Sequence, residues 1–127
     1  MSKKEETLDS LLDFTKLDKV GKLGQNVLPC CVQDVETKQV LNIAYVNEVA
    51  LKHSLKTGRA TFWSTSRNEL WEKGLTSGDW LELVDVLVNC EQNSLVYLVK
   101  SKTGKQCHTG RFSCYYRKLE GEGLDWV

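Results

Sequence analysis

Residues 80–100 read Trp80-Leu81-Glu82-Leu83-Val84-Asp85-Val86-Leu87-Val88-Asn89-Cys90-Glu91-Gln92-Asn93-Ser94-Leu95-Val96-Tyr97-Leu98-Val99-Lys100. Two apolar, β-branched runs flank a short polar interval. Trp80 to Asn89, interrupted only by Glu82 and Asp85, suits a long strand. Asn93 marks a turn, and Ser94 to Lys100 returns as a second strand, so the stretch reads as a hairpin.

Upstream, Arg59 to Ser64 is a further strand, Ser66 to Asn68 a turn, and Leu70 to Lys73 pairs back. Before it, Asn47 has the chemistry of an N-cap and Glu48 favours a first turn. Val49, Ala50, Leu51 and Leu55 follow at helical spacing, and Gly58 closes the helix in the left-handed conformation. Leu28 to Asp34 and Gln39 to Val46 form another hairpin across the turn Val35 to Lys38. Asp18 to Asn26 is polar and glycine-bearing, which predicts a loop, and Thr7 to Phe14 has the pattern of a short amphipathic helix. Ser101 to Lys105 is a loop by composition. The fold class expected is α+β, mostly antiparallel β with a few helices, in one domain over residues 1–127.

Bulk properties agree with this and narrow the function. A chain of 127 residues with 41% hydrophobic and 27% charged side chains is an ordinary globular domain. With 17 basic and 17 acidic residues its formal charge is zero. Neither this balance nor any aromatic–basic alternation supports a nucleic-acid surface, so the expected ligand is a small molecule. No apolar run follows Met1, so neither a signal peptide nor a membrane span is expected, and the cytosol is the implied compartment. Five cysteines, an odd number, argue against a disulfide framework. Cys30 and Cys31, adjacent on a strand, point to opposite faces and read as core or near-core residues.

Three cysteines remain: Cys90 at the hairpin turn, and Cys107 and Cys114, which frame Cys107-His108-Thr109-Gly110-Arg111-Phe112-Ser113-Cys114. Three thiolates can hold zinc and leave its fourth tetrahedral position to water, the arrangement of a catalytic site. Thr109, Gly110, Arg111 and Ser113 make a small, polar, cationic loop, a poor place to bury inert thiols. His108 has two readings: a fourth ligand that closes a structural site, or a general acid or base beside the metal. Spacing leaves open whether the three cysteines converge within one chain or across a dimer. His53, the other histidine, falls on the boundary side of its helix, with no role expected.

In this order the chain also carries Val32-Gln33-Asp34, Leu41-Asn42-Ile43-Ala44-Tyr45-Val46-Asn47, Gly58-Arg59-Ala60-Thr61-Phe62-Trp63-Ser64, and Leu70-Trp71-Glu72-Lys73-Gly74 with Thr76-Ser77-Gly78. Cys107-His108-Thr109-Gly110-Arg111 with Ser113-Cys114 closes the series. Each motif is weak alone, but the ordered set is specific. It resembles phosphoribosyl-AMP cyclohydrolase, the histidine-biosynthesis enzyme that opens the adenine ring, in its form without a second pyrophosphohydrolase domain.

The resemblance implies an intertwined homodimer whose zinc ligands come from both subunits, here Cys90, Cys107 and Cys114. It implies a nucleotide substrate, an adenine ribonucleotide with a second ribosyl phosphate on N1. Water adds at C6 and the N1–C6 bond breaks, with His108 as proton shuttle. Arg59, Arg67, Lys73 and Arg111 are candidate phosphate partners, joined by Ser64, Thr76, Ser77 and Thr109 as hydroxyl donors. Trp63 or Trp71 either stacks on a base or is core.

One motif departs. The family's Asp-Cys-Asp-x-Asp, whose carboxylates bind magnesium, is here Asn89-Cys90-Glu91-Gln92-Asn93. Magnesium prefers carboxylate oxygens, so binding at Asn89, Glu91 and Asn93 is expected to be weak or absent. Two alternatives follow from the departure and from His108: the same chemistry on another purine or pyrimidine derivative, and a non-catalytic zinc module.

Overall fold

Alternation of buried and half-exposed residues along two strands builds the centre of the molecule, whose computed structural model describes residues 3–127. In order, the elements are α1 (Lys3–Glu6), α2 (Lys16–Lys22), β1 (Leu28–Asp34), β2 (Val40–Val46), α3 (Glu48–Thr57), β3 (Thr61–Ser64) and β4 (Glu69–Glu72). They are followed by β5 (Leu81–Val88), β6 (Leu95–Ser101), β7 (Arg117–Glu120) and β8 (Gly123–Trp126). The main sheet has the order β2-β1-β6-β5, while β3-β4 and β7-β8 form separate two-stranded ribbons. Every pairing is antiparallel except β1 with β6. The architecture is α+β and mostly antiparallel, as the sequence predicts.

On β1, Cys30, Val32 and Asp34 are buried, and on β6, Leu95, Tyr97 and Val99. These residues join Leu41, Val46, Ala50, Ala60, Phe62 and Leu81 in one core, covered by α3 and the β3-β4 ribbon. Asn47 caps α3, its side chain accepting the Ala50 N–H at 2.9 Å, and Gly58 ends it at φ 72°. The helix carries one buried polar anchor. Ser54 Oγ accepts the Thr61 N–H at 2.8 Å, lies 2.9 Å from the Ala50 carbonyl, and takes a bond from the Tyr97 hydroxyl at 3.3 Å. It ties α3, β3 and β6 at a single point.

The other face of the sheet is open. Ile43, Cys31, Val96 and Leu87 stand in register across β2, β1, β6 and β5. Ile43 is 54% and Leu87 46% exposed. An apolar row of this kind on a sheet face is unusual for a surface left to water.

The N-terminal expectations need correction. Thr7 to Phe14 is not helical, and part of the expected loop 18–26 is α2. Thr7 Oγ1 accepts the Asp9 N–H and Asp13 Oδ1 the Thr15 N–H, so side chains compete for the backbone. Leu8 lends its carbonyl to the Leu124 N–H at 2.8 Å, and Phe14 is 92% exposed. An amphipathic pattern without a surface to cover does not hold a helix. The β7-β8 ribbon was not expected at all; its strands are four residues each, too short to show a period.

Candidate active site

The loop between β6 and β7 is built on β2. Gln106 Nε2 donates to the Leu41 carbonyl at 3.1 Å, Ser113 Oγ to Val40 O at 2.9 Å, and Cys114 N to Leu41 O at 2.8 Å. Within the loop Cys107 N bonds Arg111 O and Gly110 N bonds Cys107 O, a tight turn that Gly110 permits at φ 87°. These clips bring Cys107 and Cys114 together.

The two sulfurs are supplied with donors. Thr109 Oγ1 lies 3.1 Å from Cys107 Sγ, and Gln106 Nε2 3.4 Å from Cys114 Sγ. Burial, chiefly, pushes the Cys114 thiol up to about 11; the Gln106 hydrogen bond and Lys73 pull it down, and Cys107 pushes it further up. Lys73 is itself buried beside the pair. Loss of solvent lowers its pKa, while Cys114, Cys107 and Asp79 oppose that shift. The donor set, two soft sulfurs with hydrogen-bond donors and an ammonium around them, suits a thiophilic cation such as zinc.

A cleft of about 430 Å³ opens beside the thiols, lined by Arg67, Trp71, Lys73, Thr76, Ser77, Gln106, Cys107 and His108 among others. A second depression of about 370 Å³ shares Arg67 and Trp71 with it and adds Trp63 and Ser64. The loop from Lys73 to Trp80 forms one wall. It turns at Gly74, whose φ is 80° and where a Cβ would come within 2.2 Å of the Trp80 nitrogen. His108 is exposed and pairs through Nε2 with Glu5 Oε1 at 2.7 Å. Tyr116 OH donates to Glu5 O, and Arg117 Nη1 to Lys4 O and Thr7 O, so the N-terminal turn is strapped across this loop.

Other candidates lie elsewhere. Arg59 stacks over the Trp80 ring at 4.1 Å, and Arg111 over Tyr116 at 4.0 Å while facing Glu6 at 3.5 Å. Cys90, with Asn89, Glu91 and Asn93, occupies the exposed tip of the β5-β6 hairpin. Among the described residues no group of three or more Cys, His, Asp or Glu side chains gathers closely enough within one chain to hold a metal ion. His53 bonds Glu72 at 2.8 Å. Sequence reasoning missed Gln106 and Glu5. A glutamine preceding a cysteine carries no spacing signal, and Glu5 reaches His108 only because the chain ends pack together.

Residues 42–116 match the family model described as Phosphoribosyl-AMP cyclohydrolase. The chain is 50% identical over 98 residues to the Phosphoribosyl-AMP cyclohydrolase of Archaeoglobus fulgidus, covering 77% of this chain and 90% of that protein. It is 40% identical over 126 residues to the Chlorobaculum tepidum protein of the same name, covering 98% and 88%. With the Histidine biosynthesis bifunctional protein HisIE of Aquifex aeolicus it shares 37% identity over 101 residues, 80% of this chain but 49% of that one. With these likenesses over most of its length and the paired thiols beside the cleft, the chain belongs to the phosphoribosyl-AMP cyclohydrolase family.

Proposed function

We propose that the chain hydrolyses the N1–C6 bond of 1-(5-phosphoribosyl)-AMP in histidine biosynthesis, using zinc held by Cys107 and Cys114 of one subunit and Cys90 of another. The observation that carries this is the paired thiols at a polar cleft, with hydrogen-bond donors already aimed at both sulfurs. Zinc bound there supplies the lowered pKa that makes water a nucleophile at neutral pH.

The remaining work falls to the chain. The N1 substituent makes C6 electrophilic; water oxygen bonds to C6, a proton leaves it, and the N1–C6 bond breaks with its electron pair going to N1. His108, on the cleft wall, takes that proton on Nδ1 and passes it to the departing N1, while Glu5 holds the ring through Nε2. Arg67 and Lys73 with the hydroxyls of Thr76 and Ser77 bind phosphate, and Trp71 offers a face to the base. Thr109 serves the Cys107 sulfur, and Arg59 and Arg111 support the walls through their aromatic stacks.

The homodimer belongs to this reading. Cys90 is exposed and forms no three-ligand group with the other thiols among the described residues of one chain, and the open row Ile43, Cys31, Val96 and Leu87 is a face that a second copy covers. All five cysteines are free, which suits the reducing cytosol, and no helix among the described residues is long and apolar enough to cross a membrane. The test is turnover of phosphoribosyl-AMP by the zinc-loaded protein, read as the absorbance change on ring opening. Turnover that disappears with the zinc supports the proposal. A zinc-loaded, intact dimer without turnover sinks it and favours a related purine or pyrimidine substrate.

A further inference from the structure

The tip of the β5-β6 hairpin is wired by its own amides. Asn89 Oδ1 accepts two backbone N–H groups, Asn93 at 2.8 Å and Ser94 at 2.9 Å. An atom receiving two N–H bonds must be the oxygen, so Asn89 Nδ2 is the atom facing Asn93, and it donates to Asn93 Oδ1 at 2.7 Å. That fixes Asn93 in turn: its Nδ2 faces Glu91 Oε2 at 3.2 Å. The backbone closes the tip with Gln92 N on Asn89 O at 3.0 Å and Gln92 at φ 56°.

Carboxylates at 89 and 93 would place two acceptors against each other at this separation, which requires a cation or a shared proton between them. An amide pair has a donor and an acceptor in one group and needs neither. The N–H groups of Asn93 point at Glu91, the one carboxylate left, so a cation there would meet donors instead of lone pairs. The residues do not fit magnesium.

We propose that in this chain amide hydrogen bonds replace the divalent cation at the hairpin tip, and that Cys90 is presented correctly without magnesium. The role of Cys90 rests on the function proposed above; the wiring of the tip does not. The test therefore reads stability and binding of the zinc-loaded protein, not turnover. Calorimetric titration with magnesium chloride should show no binding, and millimolar magnesium should leave the melting temperature unchanged. The double variant Asn89→Asp/Asn93→Asp should melt about 5 °C lower without magnesium and recover with it. Asn93→Asp alone, a milder change, should shift the same way by less. Stoichiometric magnesium binding to the unmodified protein overturns the proposal, as does a double variant equally stable without the cation.

Discussion

His108 and Cys107 are neighbours in sequence with separate duties in the proposed chemistry, and substitution tells them apart. His108→Asn should lower kcat by roughly 10²–10⁴ with zinc still bound, because only proton transfer is removed. Cys107→Ser should release the metal itself, measured as zinc content after dialysis. Glu5→Gln should lower kcat less, by about tenfold, with KM nearly unchanged, since Glu5 acts through the His108 ring. Two buried acids set an alkaline limit. Burial pushes the Cys30 thiol from 9.0 up to about 12 and the Tyr97 phenol from 10.0 up to about 12; the Ser54 hydrogen bond opposes the Tyr97 shift and Cys30 adds to it. Both are neutral in the fold, whereas the unfolded chain gives up these protons from about pH 9. Their stabilisation is complete below that pH and is lost as pH rises toward 12. Urea midpoints should fall across this window, with a shallower slope in Cys30→Val.

Gly74 shows how an element can hang on one atom. The β4-β5 connection that walls the cleft passes Gly74 against the Trp80 backbone, so any side chain meets main chain that cannot step aside. Gly74→Ala should destabilise by about 3 kcal/mol and distort the cleft, seen as a lower melting temperature and weaker substrate binding. The capping of α3 gives a gentler comparison. Asn47→Ala removes one side-chain bond to Ala50 N and should cost about 1 kcal/mol, leaving the cleft alone. Comparing substrate KM in the two variants separates damage to the site from damage to the fold.

At the scale of the molecule the proposed reading needs two copies. Cys90→Ser and Cys107→Ser should each be inactive alone. After subunit exchange, half the dimers carry one site with Cys90 from one parent and Cys107 with Cys114 from the other. Mixing should restore about a quarter of the unmodified activity, because only that one site is complete. No recovery after demonstrated exchange would mean that the ligands do not cross the interface. An Ile43→Glu variant, charged on the open sheet face, should sediment as a monomer with reduced zinc content.

The sequence by itself determined the elements whose apolar residues recur with a clear period and whose ends carry turn or cap chemistry. These are β1 to β6, and α3 between Asn47 and Gly58. It also singled out Cys90, Cys107 and Cys114 as one set, of which the loop of a single chain joins only Cys107 and Cys114. Only the tertiary structure decided the rest. Thr7 to Phe14 lost its helix to local side-chain bonds and to the Leu8 carbonyl's partner on β8, and the strands of β7-β8 are too short for a period to announce them. Gln106, already beside Cys107, was clipped to Leu41 on β2, Glu5 reached His108 from the far end of the chain, and the amides of Asn89 and Asn93 found each other across a turn. Local pattern is written in a chain's periodicity. A partner brought from far away in sequence is fixed only when the backbone closes, and there the hydrogen bonds choose.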